Sequence, residues 1–170
     1  MQQVFSIPMS RRVLGIFYVL LAVCAGATAW SFRSGLVWTG ICIMAVAGPL
    51  GMLYWYMLSV NPGRARVSLG EENLQVTAPP FFQTTVPWDA VSRAERVDLR
   101  GPRAMDLGES VKSMRFGPYT SGEFTLPGGG KALVSACGGP ALGVWTDDAL
   151  LVLGPRNLDE FENALRRHLP

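Results

Sequence analysis

The chain offers few residues able to do covalent chemistry. Among its 170 residues there is one histidine, His168, and there are three cysteines. A serine or cysteine nucleophile needs a base within hydrogen-bond reach. His168 follows the basic pair Arg166-Arg167 at the end of a helical pattern and reads as a polar helix-end residue. Cys137 stands in a strand pattern with no adjacent charge and reads as a small packed thiol. Cys24 and Cys42 fall in apolar segments, so neither a disulfide framework nor a CxxC metal pattern is available. Asp147-Asp148 and Asp159-Glu160 are adjacent carboxylates at a turn and a helix start, where they serve structure. Gly128-Gly129-Gly130-Lys131 lacks the Walker spacing and the following Ser or Thr, so it reads as a hairpin turn. The expectation is a protein that is not an enzyme, with no catalytic residue, no metal site and no cofactor. Carboxylates brought together by folding are the one catalytic arrangement left open.

The remaining polar chemistry is basic. Between residues 93 and 115 stand Arg93, Arg96, Arg100, Arg103, Lys112 and Arg115, interleaved with Glu95, Asp98, Asp106 and Glu109. This region is either a ligand-facing basic rim or a solvated loop of mixed charge. Arg64 and Arg66 add two cations at the start of the polar part. These eight residues are the candidate contacts for a ligand or for lipid headgroups. The net charge is +2, and all 13 acidic residues lie after residue 70. The excess positive charge therefore flanks the apolar part of the chain, which speaks for membrane orientation and against nucleic acid as a partner.

The element that must position everything else is Val13 to Val60, which contains a single charge, Arg33. Val13 to Phe32 gives 20 uncharged residues and Leu36 to Val60 gives 25. About 20 apolar residues span a hydrocarbon core, and longer stretches span with tilt. Trp30, Phe32, Trp38, Tyr54, Trp55 and Tyr56 sit near the ends, where aromatic rings favour the headgroup level. Only Arg33-Ser34-Gly35 separates the segments, so two antiparallel transmembrane helices are predicted, about 13–32 and 36–60. Ala22 with Gly26, Ala25 with Ala29 and Ala47 with Gly51 allow close helix approach. Gly48-Pro49 predicts a kink. No ionisable group lies mid-membrane, so no ion path is expected.

Arg11, Arg12, Arg64 and Arg66 flank the hairpin outside, against Arg33 in the turn. The positive-inside rule then puts both termini and the soluble domain in the cytoplasm of a bacterial inner membrane. Ala27-Thr28-Ala29 resembles a signal-peptidase site, Ser10-Arg11-Arg12 a twin-arginine start, and Leu21-Ala22-Val23-Cys24 a lipobox. Cleavage after Ala29 would leave the soluble domain on the same side.

The expected domains are a flank and hairpin over 1–62 and a soluble domain over 63–170. Asn61-Pro62-Gly63 is expected to stop the second helix, and the short exit holds the domain against the headgroups. From Ala65 the apolar period changes to two. Ala65–Leu69, Leu74–Thr77, Phe82–Val86 and Arg93–Leu99 read as strands, with a helical turn at Pro87–Val91 capped by Asp89. Arg100 to Pro118 reads as a long loop with a short strand at Val111–Phe116. Gly122–Leu126, Lys131–Cys137, Leu142–Thr146 and Ala149–Leu153 follow as strands. Asn157 is placed to cap a last helix whose stripe is Leu158, Phe161, Leu165 and Leu169. Trp88 and Trp145 are expected in the core.

A strand meander closed by one amphipathic helix resembles a pleckstrin-homology-like (PH-like) barrel. The stretches Gly122–Leu126, Lys131–Val134, Val144–Asp148 and Pro155–Phe161, with Pro87-Trp88-Asp89, look like bacterial PH domains behind two transmembrane helices. The resemblance covers about 64–169. It implies seven or eight antiparallel strands and one C-terminal helix, but PH-like barrels serve many ends, so function does not follow from the fold. With no catalytic chemistry in the sequence, the expectation is a non-catalytic binding or scaffolding module with a protein partner or self-association through the hairpin. The resemblance does not name a ligand. The first hairpin's loop, Gly70-Glu71-Glu72-Asn73, is acidic where the phosphoinositide-binding members are basic, which disfavours phosphoinositides. The alternative reading is a sensor of anionic headgroups through the basic 93–115 region.

Overall fold

The computed structural model describes residues 3–7, 9–102 and 104–169. It divides into two compact units, Arg11–Val60 and the pairing of Met1–Ser10 with Asn61–Pro170.

The first unit is the helical hairpin. Helix α1 covers Arg11–Arg33 and helix α2 covers Val37–Trp55. At 23 residues α1 is about 34 Å long. Both helical runs are long and apolar enough to cross a membrane. The turn has a defined chemistry. Gly35 takes a φ of 76°, its N–H donates to Phe32 O, and Leu36 N–H donates to Ser31 O at 2.9 Å. This satisfies the last carbonyls of α1 as a Schellman motif does. A Cβ on Gly40 would lie 3.0 Å from the Phe32 ring, and one on Gly51 would lie 3.5 Å from Leu21. Close approach therefore uses Gly40 and Gly51, whereas Gly26 faces open space.

Helical structure does not stop at Asn61. A π-helical turn over Tyr56–Val60 leads into a further turn, α3, at Asn61–Arg64. A π turn interrupts the regular i→i−4 ladder, which makes room for Pro62 with its missing donor.

Among the described residues the second unit contains ten strands, where seven or eight were expected, and one longer helix. A four-stranded sheet is built from β1 (Gln3–Ser6), β2 (Arg66–Leu69), β3 (Asn73–Ala78) and β4 (Phe82–Pro87), in that spatial order. Strand β1 was not expected: it pairs antiparallel with β2, Phe5 opposite Val67. The boundary expected at residue 62 therefore misses the strand that precedes the hairpin. The six-stranded sheet holds β5 (Val91–Asp98), β6 (Glu109–Phe116), β7 (Tyr119–Thr125), β8 (Lys131–Cys137), β9 (Pro140–Thr146) and β10 (Ala149–Gly154). Its order is β5-β9-β10-β8-β7-β6. This corrects the expected antiparallel meander in two ways. β5 pairs with β9, and β10 pairs parallel with β8, Leu151 opposite Leu133. The long loop also contracts, because β6 begins at Glu109 and forms a hairpin with β7.

One face of the six-stranded sheet packs on the other sheet and on helix α4 (Leu158–Arg166). Leu133, Leu142, Val144, Leu151 and Leu153 meet Val67, Leu74, Val76 and Phe161 there. The opposite face carries Phe124, Ala132, Val134, Leu150 and Val152, covered by Leu99, Met105 and Leu107. A sheet covered on both sides needs apolar residues at consecutive positions, which is why β8 and β10 read as continuous apolar runs. The helical stripe holds: Phe161 and Leu165 are buried, with Leu158 and Leu169 packed at the margin. Two expected caps differ. Asn157 donates its amide to Glu160 Oε2 at 3.0 Å and does not cap through its side chain. Asp89 lies inside the 3-10 turn Trp88–Ala90, with Pro87 at the cap position. Trp88 and Trp145 are half-buried, not core.

Candidate functional site

The most distinctive surface lies along β4. Among the described residues this strand pairs with β3 alone and is the edge of its sheet. The direction of its backbone groups follows from the register. Gly70 N–H donates to Asn73 O, so the odd residues of β3 face β2. Trp88 N–H donates to Glu72 O, continuing the even-numbered pairs Leu74–Val86 and Val76–Thr84 between β3 and β4. Successive residues of an antiparallel strand point their N–H and C=O to opposite sides. Phe82, Thr84 and Val86 therefore bond to β3, and Gln83 and Thr85 offer theirs to the open edge. Pro87 shares that outward parity, so its missing donor costs the ladder nothing.

Beside this edge is a cavity of about 90 Å³. Val86, Ala90, Leu133 and Leu151 supply its apolar walls. Thr84, Thr85 and the β9–β10 turn, Thr146-Asp147-Asp148-Ala149, form its mouth. The turn is rigidly built: Thr146 Oγ1 donates to Ala149 O at 2.7 Å and accepts from Ala149 N–H at 3.1 Å. Asp147 N–H donates to Ala90 O, which ties the turn to the short helix beside Asp89. Asp147, Asp148 and Asp89 are exposed, and the exposed Glu72 neighbours Trp88 by the backbone bond above. Trp88 is braced from two sides, by Nε1 donating to Gly70 O at 3.1 Å and by the His168 ring stacked at 4.6 Å. Lys131 stands opposite Ala149 in the β8–β10 ladder, but its ammonium is held by Glu123 at 2.9 Å.

The basic candidates do not form one site. β5 and β6 are opposite edges of the six-stranded sheet, so Arg93 and Arg96 are separated from Lys112 and Arg115 by the strands between. Several have internal tasks. Arg93 lies over the Trp145 ring at 4.2 Å and 3.7 Å from Glu95. Arg96 donates to Glu162 at 2.5 Å and to Asp159, joining β5 to α4. The Glu162 and Asp159 hydrogen bonds raise the Arg96 pKa. Arg166 first, and Arg96 second, hold the Glu162 carboxyl below its ordinary range. Arg100 donates to the Gly117 carbonyl, and Arg115 lies over Phe124 at 4.9 Å. Lys112 is exposed on β6 beside a register shift. Arg64 and Arg66 are exposed in α3 and at the start of β2. Arg103 lies outside the described residues.

Cys137 is half-buried and borders a buried polar corner. It pairs across strands with Tyr119, and Ser135 pairs with Ser121. Burial pushes the Cys137 thiol up, against a smaller lowering by Arg100, and burial likewise raises the Tyr119 phenol. The Ser121 and Ser135 hydroxyls are fully buried and make no hydrogen bond of normal geometry, although Tyr119 is close enough to sense both. Among the described residues no group of His, Cys, Asp and Glu is arranged to hold a metal ion.

No protein-family model, curated protein or solved structure matches the chain.

Proposed function

We propose that the chain is a membrane-anchored, non-catalytic binding module that recruits a protein partner to the cytoplasmic face of a bacterial inner membrane. The observation that carries this reading is the open β4 edge beside a small apolar cavity, on a unit joined to two helices of membrane-spanning length. An open edge supplies backbone affinity and an adjacent pocket supplies side-chain selection. Orientation rests on Arg11, Arg12, Arg64 and Arg66 against Arg33. Two packed sheets with one C-terminal helix support the PH-like comparison. The parallel β8–β10 pair and the placement of β5 beside β9 depart from it. Sensing of anionic lipid through residues 93–115 is the weaker reading, because Arg93, Arg96, Arg100 and Arg115 already serve internal contacts.

A photo-crosslinking residue placed in cells at Thr85, Val111 or Arg156 of the full chain tests recruitment. A discrete protein adduct, reproduced from at least one position, is expected. Adducts to lipid alone from all three would overturn the reading.

A further inference from the structure

We propose that the β4 edge binds an extended segment of a partner protein, adding it as a fifth strand, and selects one carrying an aliphatic residue and a nearby lysine or arginine. This deepens the recruitment reading above and rests on it.

Three features of the site point to the same occupant. The first is the edge itself. Natural sheets blunt an open edge with lysine, inward charges or a bulge. The outward residues of β4 are Gln83 and Thr85, uncharged and uninterrupted, with proline only at Pro87. Two residues of unpaired N–H and C=O remain available there, enough to fix the register of a docked strand. The second feature is the cavity of about 90 Å³, walled by Val86, Leu133 and Leu151. Its size and apolar lining suit one aliphatic side chain of the incoming strand, and it is too small for a cofactor. The third is charge. Asp147 and Asp148 form its mouth, with Asp89 and Glu72 on the adjoining turns. The nearby cations are already engaged: Lys131 by Glu123 and Arg93 by Trp145 and Glu95. A basic residue on the partner segment would meet uncompensated carboxylates at the Pro87 end of the edge.

The test uses the full chain in lipid nanodiscs and a defined probe, a library of nine-residue peptides with threonine at alternate positions and free choice between. Selected peptides should place Val, Leu or Ile within two to four residues of Lys or Arg. Asp147→Lys with Asp148→Lys should lower their retention by about tenfold, the effect of reversing two exposed ion pairs. Thr85→Pro, which removes an outward donor, should lower it as well, with circular dichroism unchanged. A photo-crosslinker at Gln83 should label the bound peptide, and one at Val111 on β6 should not. Selection without basic enrichment, or retention unchanged in the Asp147→Lys, Asp148→Lys chain, would overturn the inference. So would failure to select any peptide. A discrete adduct in cells from Val111 or Arg156, but not from Thr85, would retain recruitment while removing β4 as its site.

Discussion

The parity of β4 makes a sharp prediction about two neighbouring threonines. Thr84 lies opposite Val76 and directs its N–H to β3. Thr85 directs its N–H outward, as Pro87 would if it had one. Proline at 84 removes a ladder bond, leaves the Val76 carbonyl unpaired and forces its ring against the paired strand, which together costs about 3 kcal/mol. The cost falls inside the packed unit, because the β4 side chain at Val86 belongs to the core between the sheets. Proline at 85 loses no ladder bond, and its penalty is limited to fitting φ near −65° at an edge, about 1 kcal/mol. For a unit of this size each kcal/mol moves the unfolding midpoint by roughly 4 °C. Thr84→Pro should therefore lower the midpoint by roughly 12 °C and Thr85→Pro by roughly 4 °C. The assay is thermal unfolding of the full chain in detergent, followed by tryptophan fluorescence. Equal losses, or a larger loss at 85, would refute the deduced direction of the open edge and with it the docking surface.

Other consequences can be checked in parallel. Gly122 has a φ of 143°, and a Cβ there would lie 2.2 Å from Lys112 O and 2.4 Å from Ser113 Cα. Gly122→Ala should destabilise the β6–β7 hairpin by about 2–4 kcal/mol, combining a left-handed backbone with overpacking; a midpoint within error of the parent would contradict this. Glu162 has a depressed pKa, so its stabilising effect is fully present above its unfolded value near pH 4.3 and is lost as pH falls through its lower folded value. Glu162→Gln should flatten stability against pH across that acid window, and an unchanged slope in a pH series of urea midpoints would count against the Arg96–Glu162–Arg166 network. Burial raises the Cys137 thiol, so its alkylation at pH 8 should be slower than that of an unfolded control; comparable rates would contradict the burial.

The parts legible in the sequence were those with strong local period. The hairpin announced itself by uncharged length, and β2, β3, β4 and α4 by alternation or an apolar stripe. Strand β1 was hidden because only Phe5 of its four residues is buried, too little for a period to register. Strand β6 is an edge strand exposed along most of its length, so only its Val111–Phe116 part read as strand, inside an expected loop. The parallel pairing of β8 with β10 has no local signature, because both strands are apolar on both faces. The basic cluster looked like a site because its residues are close in sequence, whereas β5 and β6 carry it to opposite sheet edges. Conversely, the β4 cavity joins Thr84–Pro87 to Asp147-Asp148 across sixty residues. Its traces in the sequence were the lysine-free Gln83–Thr85 and the paired aspartates of a turn.

Which side of the membrane carries the β unit is the most direct question. Full chains fused after Pro170 to a phosphatase active only outside the cytoplasm, or to a fluorescent protein that matures only inside, answer it. Fluorescence without phosphatase activity is expected. Phosphatase activity without fluorescence would place the β4 edge outside the cell interior and contradict recruitment of a cytoplasmic partner.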